Sequence, residues 1–132
     1  MKPTRGLAII AEDSSANAAV LSIFVKQAGF SVQTFPDGQA AWDYISALSG
    51  EKLNELKVIF SDYMMPRMNG KELLFAVRAK AGFEKIPFVF CSAVADPEQV
   101  KEVIHLSQGY LQKPASLAVV MAKIESLFPS QP

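Results

Sequence analysis

The sequence predicts an α/β domain in which a parallel sheet is covered by helices on both faces. Three observations carry this. Short apolar runs recur along the 132 residues, most of them closing on polar residues. Segments with apolar residues at helical spacing separate them, so strands and helices alternate. The central run, Val58-Ile59-Phe60-Ser61, delivers a single carboxylate, Asp62, to its end, and Pro66 and Gly70 shape the loop beyond.

The length is that of one ordinary domain with room for a real core, and the reading is one domain over 1–132, its core about 6–128. Half the residues are hydrophobic and 20% are charged, which argues against disorder. The formal net charge is zero and no run of Lys or Arg stands out, so neither nucleic acid nor an anionic membrane surface is suggested as a partner. Cys91 has no second cysteine to pair with, which is compatible with a reducing compartment. No targeting signal or membrane span is visible, and the expected location is the cytoplasm.

Leu7–Ala11 is continuously apolar, as a strand covered on both faces should be. Glu12-Asp13 follow at its tip. Two adjacent acids there repel each other unless a cation relieves them; the alternative is that Asp13 or Ser14 caps the helix that follows. From Ser15 to Ala28, Ala16, Val20, Ile23 and Phe24 are taken as the buried stripe of that helix, and Gly29 stops it. Phe30–Phe35 alternates and reads as an edge strand. Asp37-Gly38 turns the chain into a helix with Ala41, Trp42, Ile45 and Leu48 inward. Trp42 and Tyr44 lack basic neighbours and read as packing residues, not a base-stacking platform.

Ser49–Glu55 reads as a polar connection, with Lys57 opening the strand that ends at Asp62. Asn69 and Glu72 stand in a capping-box relation at the start of the third helix, which buries Leu73, Leu74 and Val77. Ile86–Cys91 is the fourth strand, with Pro87 near its start, where a missing donor is tolerated. Cys91 reads as a small buried hydrophobe. Asp96-Pro97-Glu98-Gln99 predicts a helix start, with Val100, Val103 and Ile104 inward. His105, without a spaced Cys or His partner, is a poor zinc ligand. Gly109–Gln112 is a short fifth strand ending at Lys113-Pro114. Ser116 caps the last helix, whose stripe is Leu117, Val120, Met121, Ile124 and Leu127, with no clear surplus for a dimer interface.

Parallel strands share one C-terminal rim, and ligands bind along it. Glu12, Asp13, Asp62, Ser92 and Lys113 all fall there. Three crowded acids call for a cation, and Mg²⁺ prefers such oxygens; a backbone carbonyl after Asp62, that of Met64, offers one more. Asp62 is placed to attack phosphorus, Lys113 to neutralise the charge gained, and Ser92 to donate a hydrogen bond to it. Met64, Met65 and Met68 read as hydrophobic anchors of their loop. No glycine-rich phosphate loop is present, which argues against nucleotide or flavin binding, and a hydrolase would need a larger substrate cavity. The plainer alternative is a domain of the same fold with polar rim groups and no turnover.

Taken in order and at these spacings, Glu12-Asp13, Ser61-Asp62-Tyr63-Met64-Met65-Pro66 with Gly70, Ser92-Ala93 and Gly109-Tyr110-Leu111-Gln112-Lys113-Pro114 resemble the response-regulator receiver domain over nearly the whole chain. The resemblance implies a flavodoxin-like (βα)5 fold, a three-layer sandwich with strand order 2-1-3-4-5. It implies that Asp62 accepts a phosphoryl group from a sensor histidine kinase or histidine phosphotransfer protein in an Mg²⁺-dependent reaction, with Mn²⁺ able to substitute. Self-phosphorylation from a phosphodonor and self-dephosphorylation are the only turnover expected. In that family Asp13 and Asp62 match direct metal ligands, Glu12 an acid acting through water, Ser92 the switch hydroxyl, Tyr110 the aromatic that turns inward with it, and Lys113 the phosphate-contacting lysine in a cis Lys113–Pro114 pair. A stand-alone receiver, a monomer or weak dimer, would then signal to a downstream protein through the face formed by the last strand and the helices either side of it. Glu12 stands where Asp is commoner, and Leu106 where Gly is frequent. These departures motivate a second reading, a non-switching interaction module; a phosphate sink is a third.

Overall fold

The computed structural model describes residues 4–93, 101, 103 and 105–129. Among these the chain forms strands β1 (Leu7–Ala11), β2 (Ser31–Phe35), β3 (Leu56–Ser61), β4 (Phe88–Ser92) and β5 (Gly109–Gln112). The helices are α1 (Ser15–Gln27), α2 (Gly38–Ser46), α3 (Gly50–Glu55), α4 (Gly70–Ala79) and α5 (Leu117–Leu127). All strand pairs are parallel, in the order β2-β1-β3-β4-β5. The predicted helix start at Asp96–Gln99, with Val100 and Ile104, lies outside the described residues; Val103 is buried and His105 is exposed, as expected.

Alternation along the central strands builds two cores. Ile9, Ile59, Phe88 and Phe90 point to the layer of α2 and α4. Ala8, Ile10, Val58, Phe60, Val89 and Cys91 point to the layer of α1 and α5. That two-sided burial is why the strands read as unbroken apolar runs. Edge strand β2 is exposed or half-buried throughout, consistent with its alternating sequence.

Three expectations need correction. Ser49–Glu55 is not an irregular connection: Gly50–Glu55 is the short helix α3, which runs into β3 one residue before Lys57. The buried stripe of α1 is Ala18, Leu21, Ser22 and Val25, while Val20 and Ile23 are 49% and 54% exposed. The phase fails because the inward face includes small Ala18 and Ser22, whereas the larger Val20 and Ile23 lie outside it. On α5, Val120 and Ile124 are buried but Leu117 is 37% exposed, so core packing does not absorb the whole stripe.

Candidate functional site

Backbone ladder bonds carry the key residues past the strand ends. The Asp62 amide donates to the Ala11 carbonyl at 2.9 Å, one residue beyond β3. The Glu12 amide donates to the Phe35 carbonyl at 2.9 Å, and the Lys113 amide to the Ser92 carbonyl at 3.0 Å. The register aligns Ala11 with Ser61, and Ser92 with Gln112. Glu12 and Asp62 therefore leave the adjacent strands β1 and β3 at one level, while Lys113 leaves β5, beyond β4, and its long side chain reaches both carboxylates.

The Lys113 ammonium is the hub. Its Nζ donates to both Glu12 carboxylate oxygens at 2.7 Å and to Asp62 Oδ2 at 2.8 Å. Asp62 Oδ1 accepts the Tyr63 amide at 2.7 Å. Glu12 also accepts from Asn17 Nδ2 at 3.3 Å. Asn17 escaped the sequence reading; its position in the first turn of α1, five residues past Glu12, was the available signal. Ser14, not Asp13, caps α1 by accepting the Asn17 amide, which leaves Asp13 exposed on the rim.

One carboxylate oxygen from each of Glu12, Asp13 and Asp62 lies within 4.8 Å of the others. Hard oxygen donors so spaced fit a divalent cation such as Mg²⁺. Asp62 is buried, yet it lines a cavity of about 180 Å³ together with Val20, Phe24, Pro114 and Ala115.

The charges at the hub are unequal. Burial pushes the Asp62 carboxyl up, but hydrogen bonds with Lys113, Glu12 and Ser92 and the lysine's charge outweigh it and hold Asp62 below its ordinary value. Glu12 goes the other way: burial raises it, Asp62 adds to the rise, and Lys113 offsets only part. Burial pulls the Lys113 ammonium down, yet Asp62 and Glu12 more than compensate and raise it. Asp62 is thus the more readily ionised of the two acids. Burial pushes the Cys91 thiol up to about 11, which fits an inert core residue.

Ser92 is buried at the end of β4. The Tyr110 hydroxyl donates to the Ser92 carbonyl at 3.2 Å, tying these two residues across adjacent strands. Met64 presents its side chain to solvent, with its amide 3.4 Å from Asp62 Oδ1. The Lys113–Pro114 bond is cis. Gly70 opens α4 against the site: a Cβ there would lie 2.2 Å from the Asp62 carbonyl oxygen, so the loop closes this tightly only on glycine. The Asp37–Arg67 pair beside that loop was not anticipated, because thirty residues separate its members. Among the described residues no helix is long and apolar enough to cross a membrane.

The chain is 26% identical over 130 residues to the 3',5'-cyclic-nucleotide phosphodiesterase regA of Dictyostelium discoideum, covering 97% of this chain but only 16% of that protein. It is 27% identical over 121 residues to chemotaxis protein CheY-3 of Vibrio cholerae, covering 91% of this chain and 89% of that one. Among solved structures, the chemotaxis response regulator CheY4 of Vibrio cholerae superposes with a TM-score of 0.81 at 25% identity, over 95% of this chain and 100% of that one. The family model described as the response regulator receiver domain matches residues 8–125. By that match the chain belongs to the response regulator receiver domain family, and the acids and lysine gathered at its rim mark it as a phosphoacceptor receiver that signals through its conformation.

Proposed function

We propose that Asp62 is the phosphoacceptor and that a sensor histidine kinase or histidine phosphotransfer protein is its donor. The observation that carries this is the Lys113 ammonium held between Glu12 and Asp62. It keeps one carboxylate ionised, as a nucleophile requires, and stands where the transferred group's negative charge would arrive. In the reaction an Asp62 oxygen bonds to phosphorus while the donor's bond to phosphorus breaks, and the donor leaves with the electron pair. Asp13, Asp62, Glu12 through water and the Met64 carbonyl would hold Mg²⁺, which when bound supplies positive charge to the phosphoryl oxygens. Lys113 contacts the phosphoryl group, Ser92 donates to one of its oxygens, and Tyr110 follows Ser92 inward. The same contacts bias a pre-existing equilibrium on the face formed by β5, α5 and the helix predicted from Asp96, and so alter the grip on a downstream protein. This reading takes the chain as a single receiver domain working in the cytoplasm, as a monomer or weak dimer.

The test is intact-mass measurement after treatment with acetyl phosphate, with and without Mg²⁺. One phosphoryl group should be added to the wild type in the presence of Mg²⁺ and none to Asp62→Asn. Equal uptake by the variant removes Asp62 as acceptor.

A further inference from the structure

The loop from Tyr63 to Asn69 is held at its far side by a pair that the phosphoryl chemistry does not use. Arg67 Nε and Nη2 donate to Asp37 Oδ2 at 3.1 and 2.8 Å. The other Asp37 oxygen is occupied by the α2 cap, accepting the Ala40 amide at 2.8 Å. Asp37 is therefore fixed and buried, while the Arg67 side chain, 62% exposed, reaches back to it across the surface. Arg67 itself has a φ of +67°, a left-handed conformation disfavoured for a residue with a Cβ. The Met68 amide closes a three-residue turn around it onto the Pro66 carbonyl at 2.7 Å. Next to it, the Gly38 amide donates to the Met68 carbonyl at 3.1 Å, and a Cβ on Gly38 would lie 2.2 Å from that oxygen. The start of α2 thus grips two successive loop residues, one by side chain and one by main chain. At the loop's other end the Gly70 amide closes on the Tyr63 carbonyl at 2.9 Å. Between these anchors lie Met64, Met65 and Pro66.

A loop fixed at both ends presents its backbone oxygens without further ordering, and ordering that is already complete is not charged against ligand affinity. We propose that Arg67 is a positioning residue for cation uptake: its bond to Asp37 holds the loop so that the Met64 carbonyl stands ready as an oxygen donor. This rests on the metal site set out under the proposed function. The sequence carries a matching sign, because a left-handed position usually goes to glycine or asparagine, and here an arginine with a built partner takes it.

Mn²⁺ binding to the full chain, followed by the loss of the free-ion EPR signal and by Mg²⁺ competition, tests this alongside thermal melts. Arg67→Gly should weaken Mn²⁺ binding about two- to fivefold, the reach of a largely exposed ion pair, while its melting temperature holds or rises because the backbone strain is relieved. Asp37→Asn keeps a capping oxygen and should lose the same factor. The double variant should be no weaker than either single one. Arg67→Lys should restore part of the loss. Wild-type affinity in both single variants, or losses that multiply in the double variant, overturns the positioning role. So does an affinity loss in Arg67→Gly that merely follows a lower melting temperature. A wild-type chain that binds no Mn²⁺ overturns the metal site and this role together.

Discussion

Lys113 Nζ donates to both carboxylate oxygens of Glu12 at 2.7 Å, a grip at least as close as its 2.8 Å bond to Asp62. The residue that departs from the family's commoner aspartate therefore makes the larger share of the lysine's contacts. Glutamate's longer arm places both oxygens on one ammonium, and Asp62 receives only one bond from it.

Glu12→Gln separates this role from metal binding. Burial holds the Glu12 carboxyl above its ordinary value, so its ionised form costs stability above that raised value, and the cost disappears as pH falls through it to the unfolded value. A glutamine of similar shape removes the cost at neutral pH and still accepts from Lys113. Without Mg²⁺ the variant should unfold at the same denaturant concentration as the wild type or a higher one. Its Mn²⁺ affinity should drop on the order of tenfold, since one negative charge is lost beside the cation.

Lys113→Met leaves two buried acids facing each other without a cation. Removing one partner of such a group costs about 3 kcal/mol or more at neutral pH. Millimolar Mg²⁺ should recover more stability in this variant than in the wild type, read as a larger rise in melting temperature. The sign with pH is fixed by the raised ammonium. Its contribution is complete below 10.5 and is lost as pH rises through the higher folded value, so the gap between the two proteins should narrow there.

Asp37 gives an acid-side signature. The Ala40 amide, and after it Arg67, hold its carboxyl below the ordinary 3.8, burial opposing them. The stability this supplies is present above pH 3.8 and lost as pH falls through the lower folded value. Urea unfolding of wild type and Asp37→Asn should show a gap at neutral pH that closes below about pH 3.8. A gap constant into strong acid would mean that the charge on Asp37 contributes nothing.

Gly70→Ala should cost about 1–3 kcal/mol, because its Cβ must push the Asp62 main chain away. Urea unfolding measures the cost, and intact-mass phosphoryl uptake should fall with it, since the displaced atoms belong to the acceptor residue.

Arg78 offers the contrast. It donates to the carbonyls of Ile86 and Leu106 at 2.7 and 2.9 Å and to Gln108 Oε1 at 3.0 Å, fastening α4 to the approach to β5. Arg78→Met should lose about 2 kcal/mol through these charge-assisted bonds while phosphoryl uptake on Asp62 stays at the wild-type level.

The apolar runs were enough to place the central strands β1, β3 and β4, because each is covered on both faces, while β2 was placed by its alternation and β5 by the short run before Lys113-Pro114. Spacing along the chain also marked Glu12, Asp13, Asp62, Ser92 and Lys113, since each stands at the end of a strand. The short helix α3 was hidden by its polar composition, with no residue of it buried. The phase of α1 was misread because Ala18 and Ser22 earn their inward places by being small, a property that appears only when the helix is set against the sheet.

What the sequence by itself determined was which residues sit at the rim, because strand ends are a local property. Only the tertiary structure decided how they pair. The fold of the sheet brings Glu12 within reach of Lys113 across 101 residues, and the α2 cap gives Arg67 a partner thirty residues away. Partner choice at that range depends on where independent elements are brought in three dimensions, and no periodicity along the chain encodes it.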